Sequence, residues 1–144
     1  MIKLIATDMD GTLLTSEKKF PPHMFNIIDQ LHEREIKFAV ASGRQYYTLL
    51  KDFESVKDEV TFICENGALV FDKGENIFCD AMAYEDIVKL IEMIRQIKNA
   101  YPILCGVESA YIEDTHEEFN ENADMYYARC ERVDDLLEAA KRDR

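Results

Sequence analysis

Asp8 and Asp10 are the residues whose type and spacing could do chemistry. They stand in the string KLIATDMDGTLLTS, residues 3 to 16, where an apolar run ends on one carboxylate and a second follows two positions later. If the run is a strand, a turn beyond its carboxyl end brings both acids toward one crevice, with the Met9 side chain turned away. Gly11 lets the backbone bend and bring its N–H close to a ligand, and Thr12 can fasten the turn through its hydroxyl. Two close carboxylates repel one another, so a cation is their natural occupant, and oxygen-only ligands favour a hard ion such as Mg²⁺. Mg²⁺ in turn favours a phosphate substrate and screens the repulsion between a carboxylate nucleophile and a phosphate dianion. One aspartate can then attack phosphorus while the other handles protons. A calcium loop also begins D-x-D, but it needs glycine sixth and glutamate twelfth; here Gly11 is fourth and Lys19 twelfth. A plain acidic turn is the bland alternative.

The elements that must hold these acids follow a regular rhythm. Residues 2–7 read as a short strand with little alternation, as in a parallel sheet buried on both faces. Residues 21–35 read as a helix with Met24, Ile27, Ile28 and Leu31 at helical spacing and two prolines at its start. A second strand is expected over 37–42, a second helix over 44–55 and a third strand over 60–66. Strand, helix, strand, helix, strand is the pattern of a parallel α/β sheet. The pattern then changes. Residues 68–81 look like a hairpin turning near Lys73-Gly74-Glu75-Asn76. Residues 84–98 form an amphipathic helix through Ile87, Leu90, Ile91, Ile94 and Ile97. Two short strands over 102–114 turn at Glu108-Ser109; an acidic helix covers 117–129; a last helix starts at Val133 with Leu136, Leu137 and Ala140 in its stripe. The switch near residue 81 predicts a core portion over 1–80 and an α+β module over 81–144.

Composition narrows the partners. The formal net charge of −12 disfavours nucleic acid and anionic membranes, which need clustered Lys and Arg. No apolar run approaches a membrane span, and the N-terminal run is too short for a signal peptide. Cys64, Cys79, Cys105 and Cys130 form no C-x-x-C pair, and His23, His32 and His116 lie far apart, which argues against zinc. The cysteines read as reduced and structural in a cytoplasmic protein. Tyr46 and Tyr47 read as packing residues, and the acidic stretch from Glu113 to Asp124 as a solvated helix face.

The string DMDGTLL closely resembles the first motif of the haloacid dehalogenase-like (HAD) phosphotransferases. VASGR places Ser42 where that family carries its second motif, a Ser or Thr at the end of the second strand. ENGA after the third strand resembles the Cof-type subgroup (subfamily IIB), whose α+β cap is inserted after that strand. The resemblance implies a HAD-like Rossmannoid α/β fold with an inserted α+β cap, both incomplete at this length. It implies a Mg²⁺-dependent phosphatase acting on a small phosphorylated metabolite. Asp8 would be the nucleophile and a metal ligand. Asp10 would be the acid and base, with its carbonyl on the metal. Ser42 would hold phosphoryl oxygens, helped by N–H groups at the following helix start. Met9, Gly11, Ser42, Gly43, Arg44 and Asn66 would line the substrate. Each has a plainer reading: Ser42-Gly43 as a strand-to-helix turn with an N-cap serine, Arg44 as an exposed helix arginine, Asn66-Gly67 as a turn before the hairpin.

Two later motifs of that family, a Lys and a GDxxND-like Asp pair, have no match here. Lys141 lacks strand context, and Asp134-Asp135 lacks the preceding glycine and falls in a predicted helix. The resemblance therefore predicts an N-terminal portion of a longer protein. The apolar edge of the first strand would then lie open to a second copy or to a missing C-terminal segment. A non-catalytic phosphate- or Mg²⁺-binding or assembly module is the competing reading. A receiver domain is a third, but it would need its aspartate after the third strand, where Glu65-Asn66 stand.

Overall fold

A computed structural model describes residues 1–113 and 116–143 and divides the chain into two compact units, residues 1–79 and 80–144. In the first unit, β1 (Leu4–Asp8), α1 (Met24–Glu33), β2 (Lys37–Ala41), α2 (Tyr46–Asp52) and β3 (Val60–Cys64) alternate as expected. β4 (Leu69–Asp72) and β5 (Glu75–Cys79) add a hairpin. The sheet order is β1-β2-β3-β4-β5, with β1, β2 and β3 mutually parallel and β4 and β5 antiparallel. The β4–β5 turn is tighter than expected: Lys73 and Gly74 alone form it, with φ of 50° and 80°. Positive φ at both central residues matches the right-handed twist of the paired strands.

The core of this unit lies between sheet and helices. Val40, Leu49, Phe53 and Val60 are fully buried, and Ile28 and Phe62 nearly so. Burying each such side chain contributes about 1.5–3 kcal/mol. Tyr46 stacks on Phe71 at 3.7 Å between ring centroids, which confirms it as a packing residue. β1 departs from expectation. It is not buried on both faces: it is an edge strand, and Leu4 and Ile5 are 53% and 37% exposed. Its open edge is as expected; the exposure of its faces is not.

In the second unit, α3 (Tyr84–Arg95) is followed by β6 (Leu104–Cys105), β7 (Ala110–Glu113), α4 (Glu117–Tyr126), β8 (Cys130–Val133) and α5 (Leu136–Arg142). β6 and β7 are antiparallel, and β7 and β8 parallel, in a three-stranded sheet. Ile91, Tyr111, Leu136 and Ala139 form its small core, bordered by Ile87, Leu104, Val133 and Leu137. Leu90, expected on the packed face of α3, is 40% exposed, and Ile97, expected on the same face, lies beyond the helix end at Arg95 and is 55% exposed. β8 replaces the expected helical start at Val133. Asp135 then caps α5, its carboxylate accepting the Leu137 N–H at 3.0 Å. The Asp134-Asp135 pair thus precedes the helix instead of lying in it. Lys141 lies in α5 and pairs with Glu138 at 2.6 Å. Most of the Glu117–Asp124 face is solvated, as expected. The ends of the expected 102–114 strand pair and 133–144 helix, and part of the acidic stretch, fall on Asp114, Thr115 and Arg144, outside the described residues.

Candidate active site

The acids, the serine turn and the asparagine turn all lie at the carboxyl ends of β1, β2 and β3. Asp8 is the last residue of β1 and pairs in register with Ala41, the last residue of β2. Ser42 follows directly. Ligand sites of parallel α/β sheets form at such strand ends. Beyond Asp8 the chain makes a loop over Met9–Leu13, non-helical at Asp10 and Gly11 and closed by the Leu14 N–H on the Met9 carbonyl at 2.9 Å. Gly11 breaks it at φ 81°, and a side chain at that position would meet no atom within 4 Å. The backbone there faces open space. Met9 is fully buried, so it can touch a ligand only through its main chain. The exposed Asp8 carboxylate makes no hydrogen bond or ion pair among the described residues.

Ser42 is tied to β3 and to the turn after it. Its N–H donates to the Ile63 carbonyl at 2.9 Å, and its carbonyl accepts the Asn66 N–H at 3.2 Å. Its hydroxyl oxygen accepts the Arg44 N–H at 3.2 Å, which is the plain turn-fastening role. The hydroxyl proton remains a donor, so the two readings of Ser42 coexist. The helix expected from residue 44 starts at Tyr46 and is seven residues long, so Ser42 does not sit at a helix start and no helix terminus supplies its anion donors. The donors on offer are the turn itself. Gly43 is required there: a Cβ would come within 2.8 Å of Asn66 Oδ1. Glu65, Asn66 and Gly67 hold φ of 48°, 56° and 98°. A left-handed conformation costs a non-glycine residue about 1–2 kcal/mol, so this turn stores strain where Asn66 meets Gly43.

Asp10 is not a free carboxylate. Arg44 Nη2 donates to both of its oxygens at 3.2 and 3.1 Å, and Lys18 Nζ donates to Oδ1 at 3.2 Å. Arg44 is moored on its other side, Nη1 donating to Asp52 Oδ2 at 3.2 Å. Slight burial pushes the Asp10 pKa up, but the Lys18 hydrogen bond and the fields of Arg44 and Lys18 outweigh it and hold the carboxyl below its ordinary value. Sequence reasoning named Arg44 but not Lys18 or Asp52. Arg44 lies 34 residues from Asp10, and Lys18 reaches it only through the geometry of a turn.

The family implies a Mg²⁺ ion at this place. Among the described residues no group of three or more His, Cys, Asp or Glu side chains could hold one. Mg²⁺, however, is usually held by one or two carboxylates plus waters and substrate phosphate, without an all-protein cage. The unpaired Asp8 carboxylate and the open space at Gly11 fit such a partial shell.

An α/β sheet bearing an acidic turn at its first parallel strand places the protein in the Rossmann-like class. The chain belongs to the haloacid dehalogenase-like hydrolases, whose family model matches residues 5–143. It is 35% identical over 137 residues to the 5-amino-6-(5-phospho-D-ribitylamino)uracil phosphatase YbjI of Escherichia coli, covering 94% of this chain and 51% of that protein. The crystal structure of SMU.1108c from Streptococcus mutans superposes with a TM-score of 0.80 at 32% identity, over 94% of this chain and 52% of that one. The HAD subclass IIB sugar phosphatase BT4131 shares the fold, with a TM-score of 0.67 at 21% identity over 97% and 55% of the two chains. The chain thus spans about half the length of the curated relative YbjI. No described helix is long and apolar enough to cross a membrane.

Proposed function

We propose that this segment carries the nucleophile half of a Mg²⁺-dependent phosphatase acting on a small phosphorylated metabolite. The carrying observation is the convergence of Asp8, the Asp10–Arg44 pair, the Ser42–Arg44 turn and Asn66 at three adjacent parallel strand ends. Relatives named as phosphatases of a phosphoribityl-substituted uracil support the substrate class. Asp8 and the Asp10 main chain would hold the metal, which supplies charge neutralisation for an anionic substrate.

An Asp8 oxygen forms a bond to phosphorus as the bond from phosphorus to the leaving oxygen breaks; that oxygen takes a proton from Asp10. Water then attacks the same phosphorus and passes its proton to Asp10. The phosphorus–Asp8 bond breaks, returning the carboxylate and free phosphate. Ser42 O–H and the Gly43 N–H hold the phosphoryl oxygens, the Ser42, Arg44 and Asn66 N–H groups being bonded within the turn and to β3. The Lys18 and Arg44 contacts favour the ionised form of Asp10, so its turn as acid needs at least one of them to loosen. Residues 81–144 are read as the first part of an α+β cap, and the protein as cytoplasmic.

The test is phosphate release from an aryl phosphate by a protein carrying this segment, with Mg²⁺ and with chelator. Asp8→Asn should abolish turnover; undiminished turnover in that variant refutes the assignment of Asp8. The second reading, a non-catalytic phosphate- or Mg²⁺-binding module, is favoured by the engagement of the Asp10 carboxylate with Arg44 and Lys18. Robust metal-dependent turnover by the 144-residue chain alone eliminates it.

A further inference from the structure

The two cations on Asp10 are held very differently. Arg44 makes a two-pronged contact to Asp10, is moored by Asp52, and its side chain is only 28% exposed. Lys18 makes one contact, and its side chain is 74% exposed. Among the described residues Asp10 is its one partner. A single exposed ion pair is worth about 0–1 kcal/mol, so Lys18 exchanges partners at little cost. Arg44 must give up two carboxylates to do the same.

Lys18 is also aimed by a strained turn. Thr15 and Lys19 close it, with the Thr15 N–H donating to the Lys19 carbonyl at 2.9 Å and the Lys18 N–H to the Thr15 carbonyl at 2.8 Å. The Lys19 N–H donates to Thr15 Oγ1 at 3.2 Å. Lys18 itself holds φ 59°, a conformation that glycine adopts freely and lysine rarely. Its neighbour Lys19 has equal exposure but turns to Glu17 at 2.8 Å. The chain carries a net charge of −12, so an anion approaching these strand ends meets repulsion that a cation at the mouth must offset. The space beside Gly11 is open.

We propose that Lys18 is a specificity-determining residue that leaves Asp10 for the anionic phosphoryl group of a bound substrate, while Arg44 stays with Asp10. This rests on reading the strand ends as a phosphoryl site. A phosphate dianion offers Lys18 twice the charge of the Asp10 carboxylate. Lys18 then favours dianionic substrates over neutral or singly charged ones, and Arg44, anchored by Asp52, keeps Asp10 in place.

The test titrates inorganic phosphate into the full chain with Mg²⁺ and follows ³¹P line broadening. Lys18→Met should weaken binding roughly three- to five-fold, the worth of one exposed ion pair. Lys18→Arg should restore it, and Lys19→Met, which removes the same charge one residue away, should leave it unchanged. Raising salt from about 0.05 to about 0.5 M should close the gap between wild type and Lys18→Met, since exposed charges are screened. Lys18→Gly relaxes the turn and should bind as weakly as Lys18→Met; recovery there would assign the loss to the turn and overturn the proposal. Equal losses in Lys18→Met and Lys19→Met overturn it as well, as a mere effect of net charge. If Ser42→Ala weakens binding and Lys18→Met does not, the Lys18 role alone is wrong. If the wild type binds no phosphate, the site reading fails and takes this role with it.

Discussion

The two units use charge for different purposes. In the first, the sheet buries Phe53, Phe62, Val40 and Val60, and the Lys18–Asp10–Arg44–Asp52 network sits at the strand ends, largely open to water. The second buries fewer large side chains, among them Ile91, Tyr111, Ile112 and Leu136, and there ionic groups join elements together. Arg95 of α3 pairs with Glu113 of β7 and with Asp135 before α5, the latter at 2.8 Å. Asp143, just past α5, accepts the N–H groups of Val107, Glu108 and Ser109 at 3.0, 2.9 and 3.3 Å and the Tyr111 hydroxyl at 2.8 Å. The lesson is that a well-filled apolar layer frees its polar residues for ligands, whereas a thin one spends them on its own loops.

That contrast can be broken most sharply in the second unit's core. Leu136→Ala removes a fully buried side chain and should cost about 2–5 kcal/mol, read as a lowered midpoint in denaturant unfolding. Next in size is Asp143→Ala. It strips the acceptor from three backbone donors and one hydroxyl and should cost about 1–3 kcal/mol, with phosphate binding unchanged. Arg44→Met should do the reverse: less than about 1 kcal/mol of stability, but a clear loss of phosphate affinity by the same titration. A large fall in its melting temperature would show that the first unit also leans on its ions.

Acid sharpens the comparison with a smaller effect. Slight burial works to raise the Asp72 pKa, but hydrogen bonds from Thr61 and Lys37 prevail and hold it below its ordinary value. A depressed folded-state pKa stabilises above the unfolded value of about 3.9 and is lost as pH falls through the folded one. Asp72→Asn should therefore lower the stability of the first unit modestly at neutral pH and flatten its fall below about pH 4, the two proteins converging in acid. The smallest expected effect concerns thiols. Burial first, and Glu65 second, push the Cys64 pKa up to about 12, so a thiol reagent at neutral pH should modify the exposed Cys105 and spare Cys64 in the folded chain.

Much of the first unit was legible because its signals are local. Apolar runs marked β1, β2 and β3, and the acid pair with Gly11 marked the turn between strand and site. β8 was hidden because Cys-Glu-Arg-Val is short, half charged and flanked by helix-favouring stretches; only its pairing with β7 makes it a strand. The open edge of β1 was expected, but its exposed faces were hidden, because an apolar run without alternation reads as buried on both sides. At the site, the positions of Asp8, Ser42 and Asn66 followed from strand ends. The pairing of Asp10 did not, since Arg44 and Lys18 reach it through tertiary geometry that no spacing rule encodes.

The contact between Gly43 and Asn66 has one more consequence. A methyl at position 43 would collide with the Asn66 amide oxygen, while the left-handed backbone at 66 tolerates few residues besides asparagine and glycine. The two positions are therefore not independent in mutational space. A library that randomises residue 43 alone should return almost nothing but the parent, whereas one that also allows glycine at 66 should recover alanine and serine at 43.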